Sequence, residues 1–179
     1  MTVLDRQVGL SVELEILLRL ARRSDLPKLE WYGQYTHFRN LFRRTFQEQE
    51  QRRRLMLIAD CNDFPIGHVF IQLHSGELHI ADGTRRAYLY SLRVMEMFRG
   101  RGIGTRLLGE AERRVSELGY SWTTIATAKD NPAARRLYER NGYRVFGDDE
   151  GNWSYVDHEG RICYVHEPCW VLEKRLHMR

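Results

Sequence analysis

The chain of 179 residues contains few cysteines, few prolines and no long apolar run. The three cysteines, Cys61, Cys163 and Cys169, are odd in number and lack the close pairing of a metal or redox motif. Such isolated thiols are typical of reduced cysteines in a cytoplasmic protein. The apolar runs are far shorter than the roughly 20 residues of a membrane-spanning helix, and Glu13 and Glu15 interrupt the early stretch where a signal peptide would lie. The sequence therefore predicts a cytoplasmic protein with no membrane partner and no metal.

The charge balance and the length favour one globular domain. Lys and Arg number 28 and Asp and Glu number 24, which gives a formal net charge of +4, and 42% of the residues are hydrophobic. This small excess suits an anionic ligand and falls well short of a protein that coats nucleic acid. With no repeat or low-complexity linker in the sequence, residues 1–179 are expected to form a single domain.

Hydrophobic periodicity predicts a mixed α/β fold. The predicted strands span residues 12–20, 55–59, 66–74, 87–95, 122–128, 143–146 and 162–172, and the predicted helices begin at Ser24 or span residues 37–54, 102–118 and 131–140. The strand 87–95, the helix 102–118 and the strand 122–128 would form a right-handed crossover between parallel strands.

A glycine-rich turn lies between the strand 87–95 and the helix that follows. Residues 99–104 read Arg-Gly-Arg-Gly-Ile-Gly, and glycines at a helix N-terminus leave backbone N–H groups free for a phosphate or pyrophosphate. A dinucleotide fingerprint would need glycine at Thr105 or Leu107, and a P-loop would need a lysine after Gly104; neither pattern is present. The spacing is Arg-x-x-Gly-x-Gly, which taken alone is as compatible with a structural turn as with a binding site.

A second segment, residues 131–143, begins a helix with Asn-Pro-Ala-Ala and continues to Tyr138 and then to Asn-Gly-Tyr. The two segments together, in this order and at this separation, resemble the GCN5-related N-acetyltransferase (GNAT) family, with a matching core from about Tyr88 to Tyr143. The resemblance implies a mixed central sheet of about seven strands, splayed at the cofactor site and flanked by about four helices.

The same resemblance implies an N-acetyltransferase that uses acetyl-coenzyme A as acyl donor and moves the acetyl group to a primary amine by direct attack in a ternary complex. It assigns the pantetheine to backbone groups of the central strand, the pyrophosphate to the glycine-rich turn, the bend of the cofactor to an asparagine and the proton of the leaving thiolate to a tyrosine acting as general acid. The residues concerned are, in that order, Leu92, Arg93 and Val94; Arg99, Gly100, Arg101, Gly102, Ile103, Gly104 and Thr105; Asn131; and Tyr138. Asn131 can equally be the N-cap of its helix, and a helical tyrosine such as Tyr138 is more often a core residue.

The general base stays unassigned. Many members of the family carry a glutamate where this chain has Ala126 or Tyr88, so another group or a water chain has to accept the proton. The candidates are Tyr88, Tyr90, His74 and His79, although a surface histidine is usually no more than a solvated side chain.

The acceptor is expected between the helices before residue 55 and the chain after residue 147. Aromatic side chains are frequent there, and the connection after residue 147 holds several acidic residues. These acids would attract a cationic amine, or they would simply be the solvated side chains of a hairpin. The aromatic residues are Trp31, Tyr32, Tyr35, Phe38, Trp153, Tyr155 and Trp170, and the acidic residues are Asp148, Asp149, Glu150, Asp157 and Glu159. The solvent-exposed face of the helix 37–54 is expected to carry arginines 43, 44, 52, 53 and 54.

Two other functions remain open from the sequence. One is a catalytically weak coenzyme A-binding regulatory module, which the missing glutamates would permit. The other is an acetyltransferase that acts on a tRNA or ribosomal acceptor, although the charge does not favour a nucleic-acid partner. The resemblance leaves a homodimer open, and no segment specifies its interface.

Overall fold

The structure, a computed structural model, describes residues 13–77 and 79–177. Its strands are β1 (Leu17–Leu20), β2 (Arg54–Cys61), β3 (Phe64–Gln72), β4 (Arg86–Val94), β5 (Trp122–Ala128), β6 (Arg144–Asp149), β7 (Asn152–Val156), β8 (Ile162–His166) and β9 (Cys169–Arg175), and its α-helices are α1 (Arg39–Glu50), α2 (Ile103–Glu117) and α3 (Pro132–Arg140). Seven strands form one mixed sheet in the order β1-β2-β3-β4-β5-β9-β6, and β7 pairs with β8 in a separate hairpin. The predicted α/β class with a seven-stranded mixed sheet is confirmed.

The central sheet is apolar on both faces because helices cover both. Alternate residues of β2 point to opposite sides, so Leu57 joins the core beneath α2, whereas Met56 and Ile58 join the core beneath α1. Leu107 and Leu108 of α2 are fully buried in the first of these cores. Burial on two faces explains why the sequence of β2 reads as a continuous apolar run.

β4 and β5 run side by side for only half of their length. They pair in parallel from Arg86–Leu89 against Trp122–Ile125, and beyond that point β4 continues along β3 while β5 continues along β9. The helix α2 connects them, as the predicted crossover requires. The sheet therefore opens into a cleft between the carboxyl ends of two central strands, the place where open α/β sheets bind ligands.

An ionic contact ties the strands together at the paired end. Arg86 of β4 and Arg144 of β6 each donate to the Glu173 carboxylate of β9 over 2.9 Å, and that carboxylate is 8% exposed. A bulge lies at the other end of β4, where the pairing with β3 skips Ser91 and Leu92. Ser91 has a φ of 55°, so the strand bends as it enters the cleft.

The first predicted helix is not an α-helix. From Ser24 onward the chain forms short 3₁₀ turns at Arg23–Asp25 and Lys28–Glu30. The second turn ends because Trp31 and Tyr32 have positive φ values of 43° and 58°, which an α-helix cannot continue. The other three predicted helices are present, with the helix 37–54 reduced to α1.

The first and last predicted strands also differ from the structure. Residues 13–16 precede β1, and Val12, the predicted start of that strand, lies outside the described residues. The predicted strand 162–172 is divided into β8 and β9, because Pro168 lacks the N–H that a continuous ladder needs. No helix in the described ranges combines the length and the apolar character needed to cross a membrane.

Candidate active site

The glycine-rich turn forms one wall of the cleft. Gly100 and Gly102 have φ values of 73° and 77°, and a Cβ built on either would meet no atom within 4 Å. Gly102 is the N-cap residue of α2 and supplies no side-chain cap, so the first N–H groups of this 15-residue helix have no intrahelical partner. The turn thus presents free donors and the positive end of a helix dipole to open space.

The charged side chains of this turn differ in their contacts. Arg99 Nε donates to the Val94 carbonyl at 3.0 Å, which links the turn to the end of β4, while Arg101 is exposed. Thr105 is exposed in the first turn of α2, and Ile103 is buried beneath the sheet. Gly104 packs near Val94 and Leu137, where a Cβ would still make an ordinary contact at 3.8–3.9 Å.

Leu92, Arg93 and Val94 lie on the opened part of β4, beyond its last pairing with β5. On the other side, Arg93 and Val94 pair with β3. Their backbone edge toward β5 has no strand partner there, so an extended ligand can add to it as a strand would. The structure therefore brings the three predicted backbone positions together with residues 99–105.

Tyr138 lies at the base of the cleft on α3. Its side chain is 6% exposed, and burial raises the pKa of its phenol to about 12. Its ring centroid is 6.1 Å from that of Tyr143. Burial also raises the pKa of Tyr88, and the nearby Cys169 and Tyr138 raise it further. These groups gather near one another, and at neutral pH both phenols keep their protons.

Asn131 caps α3. Its side-chain oxygen accepts from the Ala134 N–H at 3.1 Å, and Pro132 follows at the first helical position. The residue is exposed, so this hydrogen bond leaves the side-chain NH₂ group available. The capping role considered from the sequence is confirmed, and it is compatible with a ligand contact.

The four candidate bases do not lie together. Tyr88 and Tyr90 stack on β4 with ring centroids 5.7 Å apart, and Arg54 Nη1 donates to the Tyr90 hydroxyl at 2.6 Å. His74 pairs with Asp82 in a loop bridge before β4, and the exposed His79 lies in the same loop. The two histidines are therefore at the opposite end of β4 from the glycine-rich turn.

The sequence suggested that Arg54 lies on the solvent-exposed face of a helix, but the structure places it elsewhere. It begins β2, lies half-buried, and forms an ion pair with Glu48 as well as the contact with Tyr90. The interpretation was wrong because α1 ends at Glu50, four residues before Arg54. Arg43 and Arg44 do lie on the exposed side of α1.

An aromatic cluster borders the cleft on the side of α1 and the hairpin β7–β8. The ring of Phe38 lies 4.9 Å from that of Tyr155, 6.4 Å from Trp153 and 6.2 Å from Tyr35. His37 lies 4.1 Å from Phe38, and burial lowers its pKa. We call these five residues, 35, 37, 38, 153 and 155, the aromatic wall.

Three other predicted aromatic residues are not part of the wall. Trp31 is buried and donates to the Pro65 carbonyl at 2.7 Å, and Tyr32 is 88% exposed. Trp170 lies on β9 beneath Lys129, whose amine is 4.6 Å from the ring. Trp31 still contacts the wall, with its ring centroid 5.4 Å from that of Tyr35, whereas Tyr32 and Trp170 lie apart from it.

The acidic connection is largely engaged in local contacts. The Asp157 carboxylate accepts from the N–H groups of Glu159 and Arg161 and pairs with the Arg161 side chain at 2.9 Å. These contacts lower its pKa to about 2 and close the turn of the hairpin. Asp148 pairs with Lys129 at 2.9 Å. Both acids have cationic partners within the protein, which argues against a site for a cationic amine; Asp148 is solvated as expected, whereas the Asp157 side chain is buried.

The sequence did not predict the positions of two side chains near the cleft, although the backbone of Arg93 was predicted to bind the pantetheine. Cys169 lies near Tyr88 at the start of β9, and burial raises the pKa of its thiol to about 11. The side chain of Arg93 faces the aromatic wall, with its guanidinium carbon 4.8 Å from the Tyr35 ring centroid and 5.2 Å from that of Phe38. A signal for Arg93 was present, since it is the second cation in a strand that is otherwise largely apolar or aromatic.

Comparison with known proteins adds independent similarities. The model of the Acetyltransferase (GNAT) family matches residues 17–143. The uncharacterized N-acetyltransferase YhfO of Bacillus subtilis (strain 168) is 35% identical over 95 residues, which are 52% of this chain and 61% of YhfO. The chain thus spans about three fifths of the length of this curated relative.

Solved structures share the fold. Arabidopsis thaliana NAA60 in complex with acetyl-CoA superimposes with a TM-score of 0.68 at 20% identity, over 90% of this chain and 99% of that chain. The ribosomal-protein-alanine N-acetyltransferase of Brucella melitensis superimposes with a TM-score of 0.68 at 19% identity, over 89% of this chain and 99% of that chain.

Proposed function

The chain belongs to the Acetyltransferase (GNAT) family, and on that premise we propose that it is an acetyl-CoA-dependent N-acetyltransferase that acts on a primary amine. The observation that carries the proposal is the cleft between β4 and β5, which has an unpaired strand edge on one side and a glycine-rich helix N-terminus at its end. The first suits an amide-bearing pantetheine arm and the second suits a pyrophosphate.

The residues present fit coenzyme A. A pyrophosphate needs converging N–H donors and room for its oxygens, and Gly100 and Gly102 supply positive φ values with open space above them. Arg99 and Arg101 would add positive charge, and the backbone of residues 92–94 would hold the pantetheine. When bound, acetyl-CoA supplies an acetyl group activated as a thioester.

The proposed chemistry needs a proton at the leaving sulfur and a donor at the thioester carbonyl. Tyr138 is the general acid in this proposal, and burial raises its pKa to about 12, so its hydroxyl carries a proton at neutral pH. The bulge at Ser91 and Leu92 frees backbone N–H groups from the ladder with β3, and one of them would polarise the carbonyl oxygen.

The acceptor amine has to reach the cleft uncharged. Of the candidate bases, Tyr88 has a pKa raised by burial, which makes it a poor phenolate base. His74 and His79 lie at the far end of β4, which favours a relay or water over a histidine. The aromatic wall would form the acceptor side, across β4 from the cofactor.

The direct test is an assay of free thiol release from acetyl-CoA with a panel of primary amines, followed by intact-mass detection of the product. We expect release with at least one amine, and we expect Tyr138→Phe to lower kcat at least tenfold while the KM for acetyl-CoA stays unchanged. A Tyr138→Phe variant with the kcat of the wild type at all pH values would remove Tyr138 from this role. Tight coenzyme A binding without release from any amine would favour the regulatory module instead.

A further inference from the structure

Arg93 places a guanidinium at the acceptor side of the cleft. Its backbone belongs to the opened part of β4, but its side chain lies over the rings of Tyr35 and Phe38. Both rings belong to the aromatic wall, which lies on the α1 side of the sheet, whereas the glycine-rich turn begins α2 on the other side. The side chain therefore faces away from the proposed pyrophosphate position.

The guanidinium of Arg93 has unused hydrogen-bond donors. An arginine carries five N–H donors, and Arg93 uses Nη1 to donate to Ser91 Oγ. No carboxylate within the described residues forms an ion pair with it. Glu167, the acid whose charge raises the pKa of Arg93, is exposed and is not within ion-pair distance.

Other shielded arginines of this protein are paired, which makes the contrast informative. Arg19 contacts Asp25 at 2.7 Å and Asp60 at 2.6 Å, Arg54 pairs with Glu48, and Arg86 contacts Glu173 at 2.9 Å. A shielded cation is costly unless an anion and hydrogen bonds compensate it. Burial lowers the pKa of Arg93, in line with a charge that has lost water without gaining a counterion.

Two histidines lie near Arg93, and burial together with the Arg93 charge lowers the pKa of both, His37 and His68. His68 lies opposite Arg93 on β3 and is fully buried. Burial and the Arg93 charge hold its pKa well below the usual range, so it is neutral at physiological pH. The two rings accept no hydrogen bond from the guanidinium, and its N–H groups other than the one on Ser91 suit a planar, bidentate acceptor such as a carboxylate.

We infer that Arg93 binds a carboxylate of the acceptor, so that the acceptor is a primary amine of the amino-acid type that carries its own carboxylate. This inference rests on the proposed acetyl transfer and deepens it by naming the substrate class. A carboxylate held by Arg93 orients the molecule along the aromatic wall and directs its amine toward the thioester. Arg93 is thus a specificity-determining residue, and it takes no part in the proton transfers.

The test compares acid and amide forms of the same acceptor. L-Phenylalanine and L-phenylalaninamide, and L-alanine and L-alaninamide, are assayed as acceptors with acetyl-CoA in the wild type and in Arg93→Met. For each pair, kcat/KM for the acid is divided by kcat/KM for the amide. The quotient of interest is this ratio in the wild type divided by the same ratio in the variant. The two members of a pair differ in amine basicity, but that difference cancels in the quotient. We expect this quotient to be at least ten, which corresponds to about 1.4 kcal/mol.

Two further variants keep the result unambiguous. Arg175→Met is the matched control, because Arg175 is exposed on β9 opposite Trp122, at the paired end of the sheet, and its quotient should stay at one. Arg93→Lys keeps the charge but loses the bidentate geometry, and its quotient should lie between those of the other proteins. Thermal unfolding of each variant verifies that it is folded.

The outcomes separate the two proposals. Acetyl transfer to uncharged amines with a quotient near one would overturn the role of Arg93 and leave the acetyltransferase in place. An equal loss of kcat/KM toward acid and amide in Arg93→Met, together with a lowered Tm, would also overturn that role and would make Arg93 a packing residue. Transfer to none of a broad set of amines would contradict the proposed function itself.

Discussion

Alanine at Gly102 should weaken acetyl-CoA binding far more than alanine at Gly119, although the two substitutions strain the backbone alike. Gly102 precedes α2 with a φ of 77°, and Gly119 follows the same helix with a φ of 90°. A Cβ at either position meets no atom within 4 Å. The pair therefore separates backbone strain, which they share, from the proposed pyrophosphate contact, which belongs to Gly102 alone.

The shared cost follows from the left-handed conformation. A non-glycine residue there costs roughly 1–2 kcal/mol, and the reduced entropy of the unfolded chain returns about 0.4–1 kcal/mol. The net loss of about 1 kcal/mol lowers the Tm of a chain of this size by about 2–4 °C. Both variants should show this loss in a thermal melt without ligand.

The difference should appear in the KM and Kd for acetyl-CoA. If the Gly102→Ala backbone relaxes toward negative φ, an N–H group turns away from the pyrophosphate, and a hydrogen bond to a charged group is worth about 1.5–3 kcal/mol. We therefore expect a roughly tenfold or larger rise in Kd for Gly102→Ala, measured by calorimetry, and no change for Gly119→Ala. Equal Kd values in the two variants would refute the placement of the pyrophosphate on this turn.

Two other substitutions have expected outcomes. Asn131→Ala removes the cap on the Ala134 N–H and should lower the free energy of unfolding by about 1 kcal/mol, while Asn131→Ser should restore most of that stability. If the serine variant keeps a raised KM for acetyl-CoA, Asn131 makes a separate cofactor contact. If its KM is normal, Asn131 acts only as the cap. Burial opposes ionisation of Asp82, but backbone N–H donors of residues 84–86 prevail and lower its pKa from 3.8 to about 2, so its stabilising contribution is complete above about pH 4 and is lost as the pH falls through 2. In urea unfolding, Asp82→Ala should be about 1 kcal/mol less stable than the wild type at pH 6, with the gap closing between pH 4 and pH 2; a gap that stays constant over that range would contradict the account.

Local patterns in the sequence were sufficient for the central part of the fold. The strand predicted at residues 122–128 coincides with β5, because it is rich in aromatic and β-branched residues, with one Trp, three Thr and one Ile. The helix predicted at residues 102–118 differs from α2 by one residue at each end, since its apolar spacing and Gly119 mark its limits. In these segments, local preference and tertiary environment agree.

Prediction failed where distant residues decide the local structure. The segment after Ser24 forms 3₁₀ turns, in which Asp25 pairs with Arg19 of β1. No pattern in the sequence predicts this contact. Arg54 was placed on a helix face, although its partners on α1 and β4 hold it at the start of β2.

The candidate site shows the same division. The glycine-rich turn could be predicted because its function resides in the backbone and therefore in local residue types. The orientation of the Arg93 side chain could not, because it depends on the bulge at Ser91 and Leu92 and on rings that lie more than 50 residues away in the chain. Cys169 comes near Tyr88 through the pairing of β5 with β9, two strands that are also distant in sequence.

The ionic contact at Glu173 gives the remote end of the sheet an influence on the width of the cleft. β4 extends five residues beyond its last pair with β5, a length of about 17 Å at 3.3 Å per residue. Because the strands diverge from a tied end, a rotation of about 10° there would displace the open end of such a strand by about 3 Å. That displacement is comparable to a hydrogen-bond length. A change in the contacts among Arg86, Arg144 and Glu173 would therefore alter the distance between the two walls of the cleft, although these residues lie at the other end of the strands.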